Sequence, residues 1–462
     1  MLTKEIVKEL QTIVGEENVL TSPEELFLYE YDASLNRAQP EAVVLPGTAE
    51  EVAQVVRLCY RKGIPFTPRG SGTNLSGGSV PIKGGVVIVT NRLNRILEID
   101  IPNQRAVVEP GLFNLDLQKA LAKHGYLYAP DPASQKVSTM GGNVGENSGG
   151  PHCLKYGVTT NHVLGLEVVL PNGEVVHLGG KALDIPGYDL VGLMVGSEGT
   201  LGIVTKITVR IMRQPEAVKT MLVIFDDLET AGKAVSGIIA AGIIPATLEM
   251  MDNVTIKAVE KAVKAGYPLD AEAVLIIELD GLKDDMERVA GEILEICRAV
   301  GAREVKMART PAERDQLWAG RRGAFGAVGS VHPYLVCDGT VPRTKLPEVL
   351  RKVAKIGEKY GLEIANVFHA GDGNLHPLIL FDARDKEQEE LVLRAGAEIL
   401  AVCAEAGGTI SGEHGIGIDK IQAMSLIFSP AEISAMRLVK GAFDPKNLCN
   451  PGKVLPEQPT DW

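Results

Sequence analysis

Pro68-Arg69-Gly70-Ser71-Gly72-Thr73-Asn74-Leu75-Ser76-Gly77-Gly78 is the stretch whose reading decides the fold. It follows Ile64-Pro65-Phe66-Thr67, a short apolar run that reads as a strand, and it opens on Gly-x-Gly. A nicotinamide dinucleotide fingerprint needs glycine or alanine where Leu75 stands, and a helix starting directly after it. Ser76-Gly77-Gly78 prolongs the loop instead, so a doubly wound nicotinamide fold is disfavoured. What remains is a loop whose backbone N–H groups can converge on a pyrophosphate without a helix dipole. One such loop reads equally well as a surface turn. Two more, at 139–150 and 196–202, follow in the same half of the chain, and together the three favour a large phosphate-bearing cofactor.

Outward from that loop, the N-terminal part alternates helices and short strands. Residues 1–30 read as helical, with Ser22-Pro23-Glu24-Glu25 a capping box that carries proline at the first helical position. A strand is expected at 41–46. Thr48-Ala49-Glu50-Glu51 reads as a second capping box, opening a helix with Val52, Val55, Val56 and Cys59 on one face and a stop at Gly63. Strands follow at Val86–Val89, Ile96–Ile99 and Ala106–Val108, then a helix over 114–124. The stretch 128–150 has little apolar periodicity and reads as a long functional loop. Pro171-Asn172-Gly173-Glu174 joins two strands as a hairpin, and the third glycine loop leads into an alternating strand, Ile203–Ile211.

After Gln214-Pro215 the texture changes to longer helices (227–241, 252–264, 283–300, 344–360, 385–406) and β-branched strands (220–225, 273–279). This predicts a separate domain with long helices over an antiparallel sheet. The tail from Phe443 to Lys453 is turn-rich.

Bulk properties fit a large soluble enzyme. The 462 residues suit two or three domains; 45% are hydrophobic and 23% charged, and the net charge is −12. An acidic surface disfavours nucleic acid and anionic membranes. No apolar run approaches a membrane span, and the N-terminus lacks the apolar core of a signal peptide. The six cysteines form no CxxC pair, which argues against zinc ribbons and iron–sulfur ligation and points to a reducing compartment. A cytoplasmic protein, peripheral to a membrane through partners if at all, is expected.

Chemistry concentrates late in the chain, in His369-Ala370-Gly371-Asp372-Gly373-Asn374-Leu375-His376 and Ser411-Gly412-Glu413-His414-Gly415. Two imidazoles across a tight glycine turn can converge on one ion if the turn reverses the chain, with Glu413 adding a carboxylate. The bland alternative is a β-hairpin with incidental histidines, and His124, His162, His177 and His332 are read in that bland way. An imidazole titrates near neutrality, so His414, next to Glu413, is the candidate general base. Trp318-Ala-Gly-Arg321-Arg322-Gly323 offers a guanidinium fork suited to a carboxylate. Arg322 is read as a surface neighbour.

Pro68–Asn74, Pro130-Asp-Pro132, Thr139–Asn143 with Asn147–Gly150, Lys155-Tyr-Gly157, Gly196–Gly199, His369–His376, Gly412–Gly415 and Asn450-Pro-Gly-Lys453 are eight collinear blocks. Together they resemble the FAD-linked 2-hydroxy-acid dehydrogenases of the vanillyl-alcohol-oxidase-like (PCMH-type FAD) superfamily. The nearest branch is that of the glycolate oxidase flavoprotein subunit and D-lactate dehydrogenase.

The resemblance implies an α+β fold: a PCMH-type FAD-binding domain of two α+β subdomains, plus an α+β cap domain with an antiparallel sheet. The corresponding division is an N-terminal helical segment (1–37), the FAD domain (38–215), the cap (216–410) and a C-terminal segment (411–462) that returns to the FAD domain. It implies FAD contacts at Arg69, Gly70, Ser71, Gly72, Thr73, Asn74, Gly78, Asp131, Thr139, Gly142, Asn143, Ser148, Gly149, Tyr156, Glu198, Gly199, Ile203 and Asn450. Some relatives attach FAD covalently through histidine or cysteine. The 68–78 loop has neither, and only His152 and Cys153 lie near the next loop, so non-covalent FAD is expected.

The resemblance further implies a divalent metal (Zn, Mn or Fe) at His369, His376 and Glu413, a substrate arginine at Arg321, and Arg343 as a second substrate candidate. The 2-hydroxyglutarate branch has an asparagine where Leu378 stands and a threonine where Phe325 stands. Apolar residues there suit a short monocarboxylate such as D-lactate or glycolate, because a second carboxylate would be buried unpaired. Electrons would leave to an iron–sulfur subunit, an electron-transfer flavoprotein or a quinone-linked acceptor. The competing readings are an O2-using alditol or hydroxy-acid oxidase and a flavin-binding electron-transfer subunit with a vestigial substrate pocket.

Overall fold

The computed structural model describes residues 2–182 and 186–457. The last five residues of the expected C-terminal segment, 458–462, and Met1 of the expected N-terminal one lie outside the described residues. The chain forms two compact units. The first comprises Met1–Gly149, Gly157–Gln214 and Glu413–Trp462; the second comprises Gly150–Tyr156 and Pro215–Gly412.

Among its described residues the first unit contains two larger sheets and a two-stranded one that pairs Met212–Arg213 with Tyr126–Leu127. One of the larger sheets has four strands in the order Val19–Leu20, Ala42–Val44, Val86–Val89, Phe66–Arg69. Val86–Val89 runs parallel to both Ala42–Val44 and Phe66–Arg69. Parallel strands need crossovers, and the helix Ala49–Lys62 supplies one, burying Val52, Val55, Val56 and Cys59. The tail completes this layer: Phe66 N–H donates to Leu448 O at 2.8 Å and Asn450 N–H donates back to Phe66 O at 2.7 Å. The other sheet is antiparallel, in the order Ile96–Asp100, Arg105–Val108, Ile203–Arg210, Val163–Val169, Val175–Gly179.

Three local readings differ from the structure. The N-terminal helix ends at Val14, and the strand Val19–Leu20 separates it from the short helix Pro23–Leu26, because Val19 and Leu20 pair with Val44 and Val43. Ser22 and Glu25 form the expected capping box. At Thr48 only half of one forms: Thr48 caps Glu51 N–H, but the Glu51 carboxylate takes the Gly47 N–H at 2.7 Å. Within 128–150 a helix, Met140–Glu146, starts on the Thr139 cap. Its glycines hide it from any apolar-period search.

The second unit is built on one antiparallel sheet. Its strands run Glu304–Met307, Ala217–Phe225, Ala273–Gly281, Thr247–Asp252, Ile364–His369, Asn374–Leu380, Tyr334–Val336, with Gly339–Thr340 also paired to Asn374–Leu380. Both faces are covered, so its strands are apolar on both sides. Met221, Val223, Phe225, Leu275 and Ile277 join one core, with residues of the helices Leu228–Ala240, Met286–Ala299, Leu346–Tyr360 and Lys386–Glu405. Leu222, Ile224, Val274 and Ile276 join the opposite core, with residues of the helices Asn253–Ala262 and Pro311–Gly329.

The histidine motif is a hairpin in this sheet. Ile364–His369 pairs with Asn374–Leu380, placing His369 opposite Asn374 and Val367 opposite His376. Residues 370–373 turn the chain. Gly373 has φ +81°, and a Cβ there would sit 2.1 Å from Val341 O. Arg343 Nε donates to the Gly371 carbonyl and pins the turn.

Gly373→Ala therefore meets both an unfavourable φ and a backbone clash. The expected cost is about 1–3 kcal/mol or more. It should appear as a lowered unfolding midpoint in circular dichroism, with Asp372→Ala in the same turn as the milder comparison; an unchanged midpoint would contradict the geometry.

Candidate active site

In the first unit the three glycine loops form one cradle. Asn74 Oδ1 accepts from Ser76 N–H at 2.8 Å and Gly78 N–H at 2.7 Å, folding the first loop on itself. A Cβ at Gly70 would lie 2.3 Å from Thr139 Oγ1, so the first and second loops abut. A Cβ at Gly199 would lie 2.4 Å from Pro68 Cγ, which brings in the third. Thr139 caps its helix by accepting from Gly142 N–H at 3.2 Å. Ser148 N–H donates to Asn143 O at 2.9 Å and closes the second loop beyond that helix. Asn450 Nδ2 ties the tail to two loops, donating to Gly78 O at 2.9 Å and Glu198 O at 2.8 Å.

Buried Ser71 Oγ, Ser138 Oγ and Asn143 Nδ2 have no hydrogen-bond partner among the described residues. Such groups are costly to bury unmatched, and donors of this kind fit a ligand rich in acceptors, as a dinucleotide is. Gly72, Thr73 and Gly142 lie in the same loops, Asp131 is half-buried just upstream, and Ile203 starts its strand buried.

The structure uses other expected contacts differently. Arg69 is buried, with Nη1 3.4 Å from Ser79 Oγ and its guanidinium over the Tyr29 ring. Glu198 turns its carboxylate to the Ile416 and Gly417 N–H groups, both at 2.6 Å. Gly149 ends the first stretch of this unit, and Tyr156 falls in the second unit with its hydroxyl on Asp280.

Glu146 and Glu198 share this unit's interior beside Gly415, where a Cβ would lie 2.3 Å from Glu146 Oε2 and 2.8 Å from Glu198 Oε1. Burial and then the neighbouring Glu198 charge raise the Glu146 carboxyl well above its ordinary range. Burial also raises Glu198, but two backbone N–H groups favour its ionised form. The backbone N–H groups thus favour the charge on Glu198 over Glu146. Burial lowers the nearby Lys453 ammonium to about 8.

In the second unit, the polar cluster sits on the sheet face covered by the helix Pro311–Gly329. Glu249 pairs in register with His369 across two strands. Both Glu249 oxygens lie 2.9 Å from His369 Nδ1, and Arg321 Nη2 reaches Glu249 Oε2 at 2.5 Å. Glu249 and Arg321 are each 1% exposed, and His369 is 5% exposed. Burial would raise the Glu249 carboxyl, but the Arg321 charge and the His369 contact outweigh it and hold it below its ordinary value. Arg321 Nε has no hydrogen-bond partner among the described residues. The His369 and His376 rings are perpendicular, with centroids 5.1 Å apart. Phe325 stands edge-on to His376 at 5.6 Å. Leu378, two residues beyond His376 on the same strand face, is fully buried in the core that holds Trp318 and Val328.

Asp338 approaches from the neighbouring strand end, with Oδ1 3.4 Å from His376 Nε2. Its other oxygen accepts from Ser411 Oγ at 2.6 Å and Gly412 N–H at 3.1 Å. The next residues along the chain are Glu413 and His414. On the same sheet face, Glu278 accepts from Trp318 Nε1 at 2.7 Å, Thr220 Oγ1 at 2.6 Å and both Arg314 nitrogens at 2.8 Å. Burial raises the Glu278 carboxyl, yet the contacts with His152, Arg314 and Thr220 hold it far below the usual carboxylate range. His152 stacks on Trp318, centroids 6.2 Å apart.

Two imidazoles and adjacent carboxylates make a donor set that could hold a divalent ion. Sequence reasoning missed Glu249, Glu278 and a role for Asp338. The available signal was an acidic residue inside an apolar run: Thr247-Leu-Glu-Met-Met and Val274-Leu-Ile-Ile-Glu278. Among the histidines read as bland, His162 is buried beside Tyr128, and His124, His177 and His332 are exposed.

Residues 40–179 match the family described as "FAD binding domain", and residues 214–454 match "FAD linked oxidases, C-terminal domain". The chain is 48% identical over 440 residues to glycolate oxidase subunit GlcD of Escherichia coli (strain K12), covering 95% of this chain and 88% of that one. It is 35% identical to D-lactate dehydrogenase of Anaerostipes hadrus, covering 98% of each chain. Among solved structures, p-cresol methylhydroxylase shares the fold with a TM-score of 0.83 at 18% identity, covering 98% of this chain and 97% of that one.

An α+β FAD-binding unit joined in one chain to an FAD-linked oxidase domain defines an FAD-linked oxidoreductase. The chain belongs to the FAD-linked oxidases with a PCMH-type FAD-binding domain, in the branch of the glycolate oxidase subunits and D-lactate dehydrogenases.

The carboxyl pair in the first unit has a pH signature. The Glu146 pKa in the fold lies above its ordinary value of 4.5. Between those two values the folded chain binds more protons than the unfolded one, so stability falls as pH rises through that window. Glu146→Gln removes the titration, and its melting temperature should decline less steeply than that of the wild type above pH 4.5. Parallel profiles would show that Glu146 does not carry the proton.

Proposed function

We propose that this protein oxidises a short D-2-hydroxy acid, D-lactate or glycolate, to the 2-oxo acid and passes the electrons to a partner protein or a quinone-linked acceptor. The observation that carries the reading is the buried Glu249–Arg321–His369–His376 cluster on one sheet face beneath Phe325. Relatives with related sequences over nearly the whole chain carry the names glycolate oxidase subunit and D-lactate dehydrogenase.

When bound, FAD supplies the redox step by accepting a hydride at N5. The residues of the three loops hold it without a covalent bond. Support for that comes from the absence of histidine and cysteine in 68–78 and from His152 being engaged by Trp318 and Glu278.

His369, His376 and Glu413 would hold a divalent metal (Zn, Mn or Fe), which lowers the pKa of a coordinated hydroxyl. The Asp338 clamp on Gly412 fixes the chain one residue before Glu413. His414 takes the hydroxyl proton as general base. Arg321 retains Nε–H for the substrate carboxylate while Nη2 is held by Glu249. Arg343, on the Gly371 carbonyl, secures the histidine turn and is the second candidate for the substrate carboxylate. Phe325 supplies the apolar wall against a longer, doubly charged substrate. The six cysteines are dispersed, and electron exit to an iron–sulfur subunit or an electron-transfer flavoprotein accords with that.

Anaerobic addition of D-lactate or glycolate should bleach the flavin absorbance. In His414→Ala the bleaching rate should fall by about 10²–10⁴ with flavin content retained. Wild-type rates in the variant would remove His414 as the base.

Across a panel of acids, kcat/KM for D-lactate or glycolate should exceed that for D-2-hydroxyglutarate. The reverse order would overturn the short-substrate reading. Chelation should abolish turnover, and readdition of Zn, Mn or Fe should restore it; full activity in the chelated, metal-free protein would overturn the metal reading.

A further inference from the structure

We propose that Glu249 is a positioning residue that fixes His369 in the tautomer protonated on Nδ1, leaving the Nε2 lone pair for a ligand, and that the same carboxylate holds Arg321 in place.

The geometry is specific. Glu249 and His369 are direct cross-strand partners in an antiparallel pair, so the backbone presents the two side chains on the same face. Both carboxylate oxygens lie 2.9 Å from Nδ1. An ionised carboxylate only accepts hydrogen bonds, so the hydrogen between them belongs to Nδ1. A neutral imidazole with its proton on Nδ1 has its lone pair on Nε2.

Glu249 also contacts Arg321 Nη2, at 2.5 Å. That same nitrogen is 3.4 Å from His369 Nδ1, so one carboxylate links the ring and the guanidinium. The three side chains are almost fully enclosed, and water cannot substitute for the carboxylate. A carboxylate behind a liganding histidine orients the ring and raises its basicity, and losing it weakens metal binding by about 10–100-fold.

The part of this inference that concerns Nε2 as a ligand rests on the metal reading above; the tautomer does not. The test has two readouts. In protein with 13C,15N-labelled histidine, the His369 ring shifts should report a proton on Nδ1 in the metal-free wild type, assigned by difference with His369→Gln. A proton on Nε2 would overturn the proposal whatever metal the protein binds. In chelator competition with Zn or Mn, Glu249→Gln should bind the ion about 10–100-fold more weakly than wild type while retaining FAD. Glu249→Asp, which keeps the charge, should recover part of that loss. Unchanged affinity in Glu249→Gln would overturn the positioning role. Wild-type protein that binds neither ion would overturn the metal reading and the ligand role of Nε2, while the shifts would still decide the tautomer. If Glu249→Gln loses its fold, Glu249→Asp and the wild-type shifts carry the decision.

Discussion

A charge buried between a sheet and a helix has to be matched where it stands, because water cannot reach it. That constraint organises the second unit. Its sheet is covered on both faces, yet the face under the helix Pro311–Gly329 carries Glu249, Glu278, His369 and His376. The helix answers each acid with a cation one turn or two apart: Arg314 and Trp318 go to Glu278, and Arg321 goes to Glu249. The helix cannot slide along the sheet without separating both sets. Apolar packing alone, with Leu222, Ile224, Val274 and Ile276 below it, would permit several registers; the ion pairs select one.

The first unit solves a different problem. It has to present backbone N–H groups and small polar side chains to a large ligand, so it brings glycine-rich turns within van der Waals contact of one another. Side chains would not fit at Gly70 or Gly199, where the next loop occupies the space of a Cβ. The acidic pair Glu146 and Glu198 then seats the backbone of 415–417 against these loops. The catalytic candidates Glu413 and His414 immediately precede that seated segment.

Much of this was legible from the residues. The failed dinucleotide fingerprint at Leu75 disfavoured the doubly wound fold, and the change of texture at Pro215 falls where the second unit begins. The His369–His376 pair read as a turn because Gly-Asp-Gly admits little else. What stayed hidden depended on partners distant in sequence. Glu249 lies 120 residues from His369, and nothing local to Thr247-Leu-Glu-Met-Met says which strand stands beside it. Arg321 read as an open fork because its counter-charge lies on another element. The helix Met140–Glu146 was illegible because its glycines erase the apolar period, and its start depends on a single threonine cap. Leu378, two residues beyond His376 on the same strand face, packs in one core with Val328 and Phe325.

The tail bridge at Leu448–Asn450 bears on how the chain is made. The first unit is discontinuous: its opening sheet accepts an edge from residues that follow the whole second unit in the chain. The second unit, apart from the short stretch at 150–156, is one continuous run that emerges whole before that edge exists. Domains fold as units as they leave the ribosome. The cap can therefore acquire its helix register while the Phe66 edge and the Asn450 tie still await their partners. The order of synthesis thus completes the cofactor cradle only after the second unit has emerged.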